Sequence, residues 1–221
     1  MMNSFDKEAL LLYAVTDRTW LNGRALSHDV EEAIKGGVTL VQLREKELPY
    51  DEFLAEAVEI KALCGRYGVP FIVNDSLEVA CVCDADGIHV GQSDMEALKV
   101  REKLGNCKII GVSVQTVEQA ILAEKSGADY LGVGAVFTTS TKKDADFVPY
   151  DTLSAICTAV SIPVVAIGGI YAHNIERLSG SGIDGVALVS SIFAERDIKA
   201  AASDMLRLAK KTVEFCEVTE K

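Results

Sequence analysis

Short apolar runs alternate with longer amphipathic stretches along the whole chain. Eight of the runs have the length and β-branched composition of strands, and several of the stretches between them carry apolar residues at helical spacing. Several helical stretches end in glycine, as a helix C-terminal cap does. The predicted strands are 11–17, 39–46, 70–75, 87–92, 108–114, 130–136, 163–169 and 185–191, and the clearest helical stretches are 50–68, 76–85, 94–105, 116–127 and 197–215.

This alternation predicts an α/β protein with a parallel sheet. Parallel strands need helical crossovers, and eight strands close into a ring that has no edge. We therefore expect a compact (β/α)8 TIM barrel, with a doubly wound open sheet as the alternative. No linker, low-complexity tract or change of composition divides the chain, so residues 1–221 are expected to form a single domain.

The second predicted strand carries cations at strand spacing. Gln42, Arg44 and Lys46 share one face, while Val41 and Leu43 share the other. If the apolar face packs on helices, the polar face points into the space that the sheet encloses, where an unpaired charge is costly. An anionic ligand is therefore expected there. The alternative is an exposed edge strand with a solvated basic face.

Polar residues collect where strands end, which in a barrel is the rim that carries the reactive groups. Asp75 and Asp94 end or follow neighbouring strands, so their carboxylates are expected to share one Mg²⁺, beside cations that would hold a diphosphate. The alternative is that each aspartate caps the following helix. The polar rim residues are Arg44 and Lys46 after strand two, Asn74 and Asp75 after strand three, Asp94 after strand four and Ser113 in strand five.

Two loops predict a phosphate site. Gly168 and Gly169 precede a short helix expected from about Ala172, and a second short helix follows the segment 189–191. Glycines let backbone N–H groups approach a phosphate, and helix N-termini favour anions. The alternative is that these glycines only turn the chain.

The polar loop 136–149 is the longest connection and follows strand six. Long loops in compact domains are often functional, and Thr139, Thr141 and Lys142 would supply hydroxyls and a cation to a phosphorylated ligand. A solvated loop without ligand contacts is the alternative. His89 and His173 are interpreted as structural, because neither has an obvious nucleophile as partner.

The composition of the chain limits the classes of partner that it is expected to bind. A chain of 221 residues with a net charge of −11 is not expected to bind nucleic acid or an anionic membrane, although a small polyanion can bind locally. No apolar run approaches the roughly 18 residues of a membrane span and the start lacks a secretory pattern, so we expect a cytoplasmic protein. A homo-oligomer is compatible with the sequence. The six cysteines form no C-x-x-C pair and are expected to be reduced and mostly buried.

Seven ordered segments resemble the thiamine phosphate synthase family, and the resemblance spans roughly residues 11 to 195. Members join 4-amino-2-methyl-5-(diphosphooxymethyl)pyrimidine to a thiazole phosphate, with Mg²⁺, and release pyrophosphate. Where the family has proline, this chain has Ala135 and Thr138, which predicts a looser loop. The segments are QLREK (42–46), FIVND (71–75), DGIHVGQSDM (86–95), GVS (111–113), TSTKKDA (139–145), AIGGI (166–170) and DGVALVS (184–190).

The resemblance implies a role for each site residue. Gln42 would meet the pyrimidine, and Ser113 would lie beside the reacting diphosphate. The implied diphosphate ligands are Arg44, Lys46, Asn74 and Lys142; the magnesium ligands are Asp75 and Asp94; the thiazole phosphate side has Thr139, Thr141, Gly169, Val189 and Ser190.

Three other functions compete with this interpretation. A thiazole tautomerase of the same superfamily would share the fold, but its relatives are expected to carry a histidine just after the strand-five serine, where this chain has Gln115. A sugar phosphate isomerase or epimerase would leave the basic second strand unexplained. A non-catalytic protein that binds thiamine precursors would not need the full set of charged positions.

Overall fold

Eight parallel strands pair in sequence order, and the eighth returns to the first, which gives a closed barrel. The computed structural model describes residues 6–91, 97–105, 107–138 and 147–217. The predicted (β/α)8 barrel is therefore confirmed, and the open sheet is wrong. The strands are β1 (Leu12–Val15), β2 (Leu40–Leu43), β3 (Phe71–Asn74), β4 (Gly87–Val90), β5 (Ile109–Val114), β6 (Tyr130–Val133), β7 (Val164–Ile167) and β8 (Gly185–Leu188).

Helices connect most of the strands on the outside. Two of them have recognisable caps: α5 begins with a capping box between Thr116 and Gln119, and α2 ends at Gly68 in the left-handed conformation. The α-helices are α1 (Leu26–Lys35), α2 (Tyr50–Tyr67), α3 (Leu77–Val82), α4 (Ala97–Leu104), α5 (Val117–Lys125), α6 (Tyr150–Ala159), α7 (Ser190–Phe193) and α8 (Ile198–Glu217), and 3₁₀ helices cover Lys7–Leu10, Arg18–Trp20 and Ile175–Leu178.

Several predicted boundaries are wrong, and two of them bear on the site. Strand β2 ends at Leu43 and not at residue 46, because the backbone N–H of Arg44 donates to the Thr16 hydroxyl at 3.0 Å instead of continuing the ladder. The helix expected from about Ala172 is only a 3₁₀ turn that starts at Ile175. Arg44 and Lys46 therefore lie in the loop after β2, beyond the strand that was predicted to carry them.

The strands separate two apolar clusters. Alternate side chains of each strand point outward to the helices, as Val41 and Leu43 do, or inward to the barrel axis, as Leu40 and Gln42 do. A closed barrel has no edge strand, so the solvated-edge alternative for β2 is wrong. The inner cluster consists of Leu10, Tyr13, Val15, Leu40, Ile72, Tyr130, Val165 and Ala187.

The cysteines differ from expectation in their burial. All five that the structure describes are free thiols, but only Cys64 and Cys83 are buried; Cys157 is half-buried, and Cys81 and Cys107 are exposed. The exposed two lie on the outer side of α3 and in the turn before β5, where no packing layer covers them.

Among the described residues, no helix is both long and apolar enough to cross a membrane.

Candidate active site

One half of the barrel rim is built from charged side chains at the ends of β2 and β3. The Lys46 ammonium pairs with the Asp75 carboxylate across the two strand ends. Arg44 is partly buried, and its guanidinium lies 3.9 Å from Asp17. Asn74, the last residue of β3, is buried and directly precedes Asp75. The structure thus brings together four of the predicted rim residues, and we call this group the charged half of the rim.

Asp75 is not a helix cap. Its neighbour Ser76 is the N-cap of α3, with its hydroxyl accepting from the N–H of Val79 at 3.3 Å. Asp75 has a left-handed backbone with φ of 61° and donates its own N–H to the carbonyl of His89 at 2.9 Å. The capping alternative for Asp75 is therefore wrong, because the shorter Ser76 side chain already fills the cap.

A shielded carboxyl lies next to the charged half. The Glu45 side chain is only 4% exposed, and its Oε2 accepts from Nε of Arg18 at 3.2 Å. Arg18 also donates to Glu56 at 2.6 Å, so two carboxyls share one guanidinium. Burial, and then the adjacent Glu56, raise the pKa of Glu45 to about 7. Glu45 can therefore carry a proton near neutral pH.

The other half of the rim is built from backbone groups, hydroxyls and an amide, at the ends of β7 and β8. Gly168 and Gly169 have φ of 99° and 67°. The buried Asn174 holds this turn: its Nδ2 donates to the Gly169 carbonyl at 2.8 Å, and its Oδ1 accepts from the N–H of Tyr171 at 2.8 Å. The Tyr171 and Ser190 hydroxyls lie 2.7 Å apart and bridge the two loops. We call this group the neutral half of the rim.

The glycine turn also seats the loop that follows β6. A Cβ at Gly169 would lie 2.5 Å from the Thr138 carbonyl oxygen and 2.9 Å from the Phe137 carbonyl carbon. The N–H of Phe137 donates to the carbonyl of Gly168 at 3.0 Å. Both the positive φ and this close approach require glycine here, so the turn has a structural role whether or not it binds phosphate.

Sequence reasoning missed Tyr171 and Asn174. Asn174 directly precedes the 3₁₀ helix Ile175–Leu178, and Tyr171 lies two positions after Gly169.

Val189 is the N-cap residue of α7, directly before Ser190. His173 is exposed, and its ring stacks on Tyr171 with centroids 5.7 Å apart.

A chain of hydrogen bonds crosses the barrel interior. The Gln42 amide nitrogen donates to the Tyr13 hydroxyl, which lies 2.8 Å from the Tyr130 hydroxyl. Tyr130 contacts Nδ1 of His89 at 2.9 Å, and Nε2 of His89 contacts Oγ of Ser113 at 2.9 Å. The reason given for treating His89 as structural is therefore wrong, because its imidazole bonds directly to the predicted site serine. We call these five residues the interior chain.

Burial raises the pKa of both phenols of the interior chain, Tyr13 and Tyr130, so each keeps its proton.

Four residues that were predicted to complete the site lie outside the described residues: Asp94, Thr139, Thr141 and Lys142.

The fold and the rim define the class of protein: a (β/α)8-barrel enzyme whose polar groups gather at the C-terminal ends of the strands. A family model described as "Thiamine monophosphate synthase" matches residues 12–192. The chain therefore belongs to the thiamine monophosphate synthase family, as the sequence resemblance implied.

Individual relatives agree with the family model. The chain is 50% identical over 197 residues to a thiamine-phosphate synthase of Ruminiclostridium cellulolyticum, covering 89% of this chain and 94% of the relative. It is 48% identical to that of Clostridium tetani, covering 88% and 93%. A solved thiamine phosphate pyrophosphorylase from Pyrococcus furiosus superposes with a TM-score of 0.87 at 36% identity, covering 94% and 98%.

Proposed function

We propose that the chain condenses 4-amino-2-methyl-5-(diphosphooxymethyl)pyrimidine with a thiazole phosphate at this rim, giving thiamine phosphate and pyrophosphate. Membership of the family supports the proposed reaction. The observation that carries the site is the Lys46–Asp75 pair, which joins the ends of β2 and β3 beside Arg44 and Asn74. A cation and a carboxylate at two neighbouring strand ends can serve a diphosphate and its metal ion together.

In the proposed mechanism the charged half of the rim receives the leaving group. The bond between the pyrimidine methylene carbon and the diphosphate oxygen breaks, and its electron pair leaves with pyrophosphate. Arg44, Lys46, Asn74 and Lys142 would stabilise this developing charge, with Ser113 beside it. Gln42 would hold the pyrimidine, whose ring amino group stabilises the methylene cation. No general base is required, since the thiazole nitrogen captures the cation directly.

The neutral half of the rim would hold the second substrate. Gly169, Val189 and Ser190 would donate to the thiazole phosphate, and Thr139 and Thr141 would approach it from the loop after β6. This phosphate does not react, so the protein's task is to align the thiazole nitrogen with the methylene carbon.

The chemistry of the proposed ligands suits a magnesium ion. Mg²⁺ in such sites uses one or two carboxylates together with substrate phosphates and water. Asp75 lies at the rim beside Lys46, although the described residues hold no cluster of three or more metal-ligating side chains. Asp75 and Asp94 would bind the ion. When bound there, it would neutralise negative charge on the diphosphate oxygens.

No observation favours the tautomerase alternative. The matching relatives are named as synthases. Gln115, which stands where the tautomerase histidine was expected, donates its backbone N–H to Gln119 and its amide to the Gly134 carbonyl at 3.4 Å.

We further propose that the enzyme is cytoplasmic, acts on small molecules and binds no nucleic acid. A homo-oligomer is compatible with this proposal.

The test is an assay of the purified chain with both phosphorylated precursors and magnesium. We expect pyrophosphate and thiamine phosphate in equal amounts, with no product when either precursor is omitted. Conversion of a thiazole precursor alone, without pyrophosphate release, would instead support the tautomerase. Absence of both reactions would contradict the proposal.

A further inference from the structure

The loops after β1 and β2 contact each other residue by residue. The backbone N–H of Thr16, directly after β1, donates to the Gln42 carbonyl at 3.0 Å. The Thr16 hydroxyl then accepts from the N–H of Arg44 at 3.0 Å. Two residues further along, Nε of Arg18 donates to Oε2 of Glu45 at 3.2 Å. Side chains of the first loop therefore continue the contact between the two chain segments beyond the end of β2.

Glu45 is turned into the protein, although its neighbours Arg44 and Lys46 are partly in solvent. Its Oε1 is buried and has no hydrogen-bond partner among the described residues. Burial raises the pKa of this carboxyl to about 7, so the fold loses stability when the group ionises. A residue that only filled space would avoid this cost by being apolar. Such departures are expected where side chains are organised for function.

Arg18 links Glu45 to the outer helices. One of its terminal nitrogens lies 2.6 and 2.7 Å from the two carboxylate oxygens of Glu56 in α2. Hydrogen bonds between charged groups are among the stronger ones, so this contact holds the guanidinium with Nε toward Glu45. The loop after β1, the loop after β2 and helix α2 therefore meet at one arginine.

Arg44, which directly precedes Glu45, is contacted by the same loop at its backbone and near its side chain. Thr16 holds its N–H, and its guanidinium lies 3.9 Å from Oδ2 of Asp17. Asp17 is itself fixed, because its Oδ1 accepts from the N–H of Thr19 at 2.9 Å and caps the 3₁₀ helix that follows. The position of Arg44 is therefore set by the loop after β1.

We propose that Arg18 and Glu45 are positioning residues: their hydrogen bond fixes the backbone after β2 and thereby holds the Arg44 guanidinium in place for a diphosphate. Neither residue touches the substrate. The loop after β1 then contributes to the reaction although it supplies no ligand. This inference rests on the proposed function, since it takes a diphosphate as the ligand of Arg44.

The opposite interpretation is that Arg18 and Glu45 only pack two loops together. Both interpretations include the hydrogen bond, but only the first makes the position of Arg44 depend on it. Two substitutions of Glu45 separate them. Glu45→Leu fills a similar space and cannot accept a hydrogen bond, whereas Glu45→Gln keeps an oxygen that accepts from Arg18.

The experiment measures kcat, KM for both precursors and the melting temperature of the unaltered protein and the two variants. In Glu45→Leu we expect kcat to fall about tenfold, because a misplaced cation stabilises the leaving group less well. KM for the thiazole phosphate should stay within about twofold, since the neutral half of the rim is not altered. The melting temperature should not fall, because an apolar group replaces a buried carboxyl. Glu45→Gln should keep kcat within about twofold.

Arg18→Met breaks the same hydrogen bond from its other side and should reproduce the loss of kcat. Because Arg18 is partly exposed, this variant decides the question if Glu45→Leu does not fold. Arg66→Met is the matched control, since it removes an arginine that pairs with Glu31 at 3.8 Å on the outer surface. It should keep full activity.

A double variant tests whether Glu45 acts through Arg44. In the Arg44→Ala background, Glu45→Leu should lower kcat by less than about twofold, because the residue that it positions is already absent. A further tenfold loss in that background would overturn the inference.

The remaining outcomes separate this inference from the proposed function. Full kcat in a folded Glu45→Leu or in Arg18→Met, or an equal loss in Glu45→Gln, would overturn the inference while the unaltered protein still makes thiamine phosphate. If the unaltered protein makes no thiamine phosphate, the proposed function itself fails, and the inference fails with it.

Discussion

The two halves of the rim use different chemistry. The charged half at β2 and β3 relies on long side chains that are partly in solvent: Lys46 is 53% exposed and Asp75 is 27% exposed. The neutral half at β7 and β8 relies on a glycine turn fastened by the buried Asn174. In the proposed mechanism the departing diphosphate would meet long, solvent-exposed side chains, and the thiazole phosphate, which does not react, would meet a fixed backbone turn.

The comparison also separates activity from stability. An exposed ion pair such as Lys46–Asp75 contributes about 0–1 kcal/mol to folding, so its loss should affect mainly the reaction. Asn174 is buried and makes two hydrogen bonds, and a buried group left unpaired costs about 1–3 kcal/mol. Changes in the charged half should therefore reduce turnover, and changes in the neutral half should reduce both substrate affinity and stability.

The largest effect is expected from Arg44→Ala or Lys46→Ala. In the proposed mechanism each removes a cation from the leaving group, so turnover should fall about 100-fold or more while the melting temperature changes little. Steady-state release of pyrophosphate and a thermal melt measure the two quantities. Lys211→Ala, which breaks the surface pair with Glu176, is the control and should keep full activity. Near-normal turnover in both rim variants would remove the basis of the comparison.

Gly169→Ala tests the neutral half. A side chain at φ of 67° with Cβ 2.5 Å from the Thr138 carbonyl oxygen is strained and displaces the turn. We expect KM for the thiazole phosphate to rise about tenfold and the protein to lose about 1–3 kcal/mol of stability, with KM for the pyrimidine diphosphate nearly unchanged. Gly65→Ala is the control, because its Cβ would meet nothing within 4 Å. Equal changes in both KM values would show that the halves are not independent.

Asp75→Asn should alter the response to magnesium. The variant keeps the size of the side chain but loses the charge that favours a divalent cation, so about tenfold more magnesium should be needed for half-maximal activity. Its melting temperature should stay close to that of the unaltered protein, since Asp75 is not the cap of α3. An unchanged magnesium titration would contradict its proposed role as a ligand.

The smallest effect concerns Glu45, whose pKa is raised to about 7, mainly by burial and then by Glu56. The folded protein holds this proton more tightly than the unfolded chain, so the stabilisation is complete below the ordinary pKa near 4.5 and is lost as the pH rises through about 7. Between about pH 5 and pH 8 the free energy of unfolding of the unaltered protein should fall by on the order of 1–2 kcal/mol, and Glu45→Gln should not show this fall. Urea unfolding across this range measures it, and parallel curves for both proteins would disprove the shift.

The strand pattern predicted the barrel because alternation and crossover length are local properties. The β2 boundary was wrong because Thr16, distant in sequence, captures the Arg44 N–H where the apolar run alone indicated more strand. The link between His89 and Ser113 could not be predicted, since it depends on the register of β4 against β5. Tyr171 was missed because its partner Ser190 lies in a different loop, and Asn174 was missed because its bonds depend on how the turn from Gly169 to Tyr171 folds.

Leu10 is fully enclosed at the start of β1 and belongs to the inner cluster that fills the barrel below the interior chain. Leu10 therefore helps to close the end of the barrel interior at which the strands begin, opposite the rim. Gln42 lies inside the barrel with 4% of its surface exposed, whereas the Lys46 side chain lies at the rim and is 53% exposed. A ligand that contacts both residues would therefore have to extend from the barrel interior to the exposed rim.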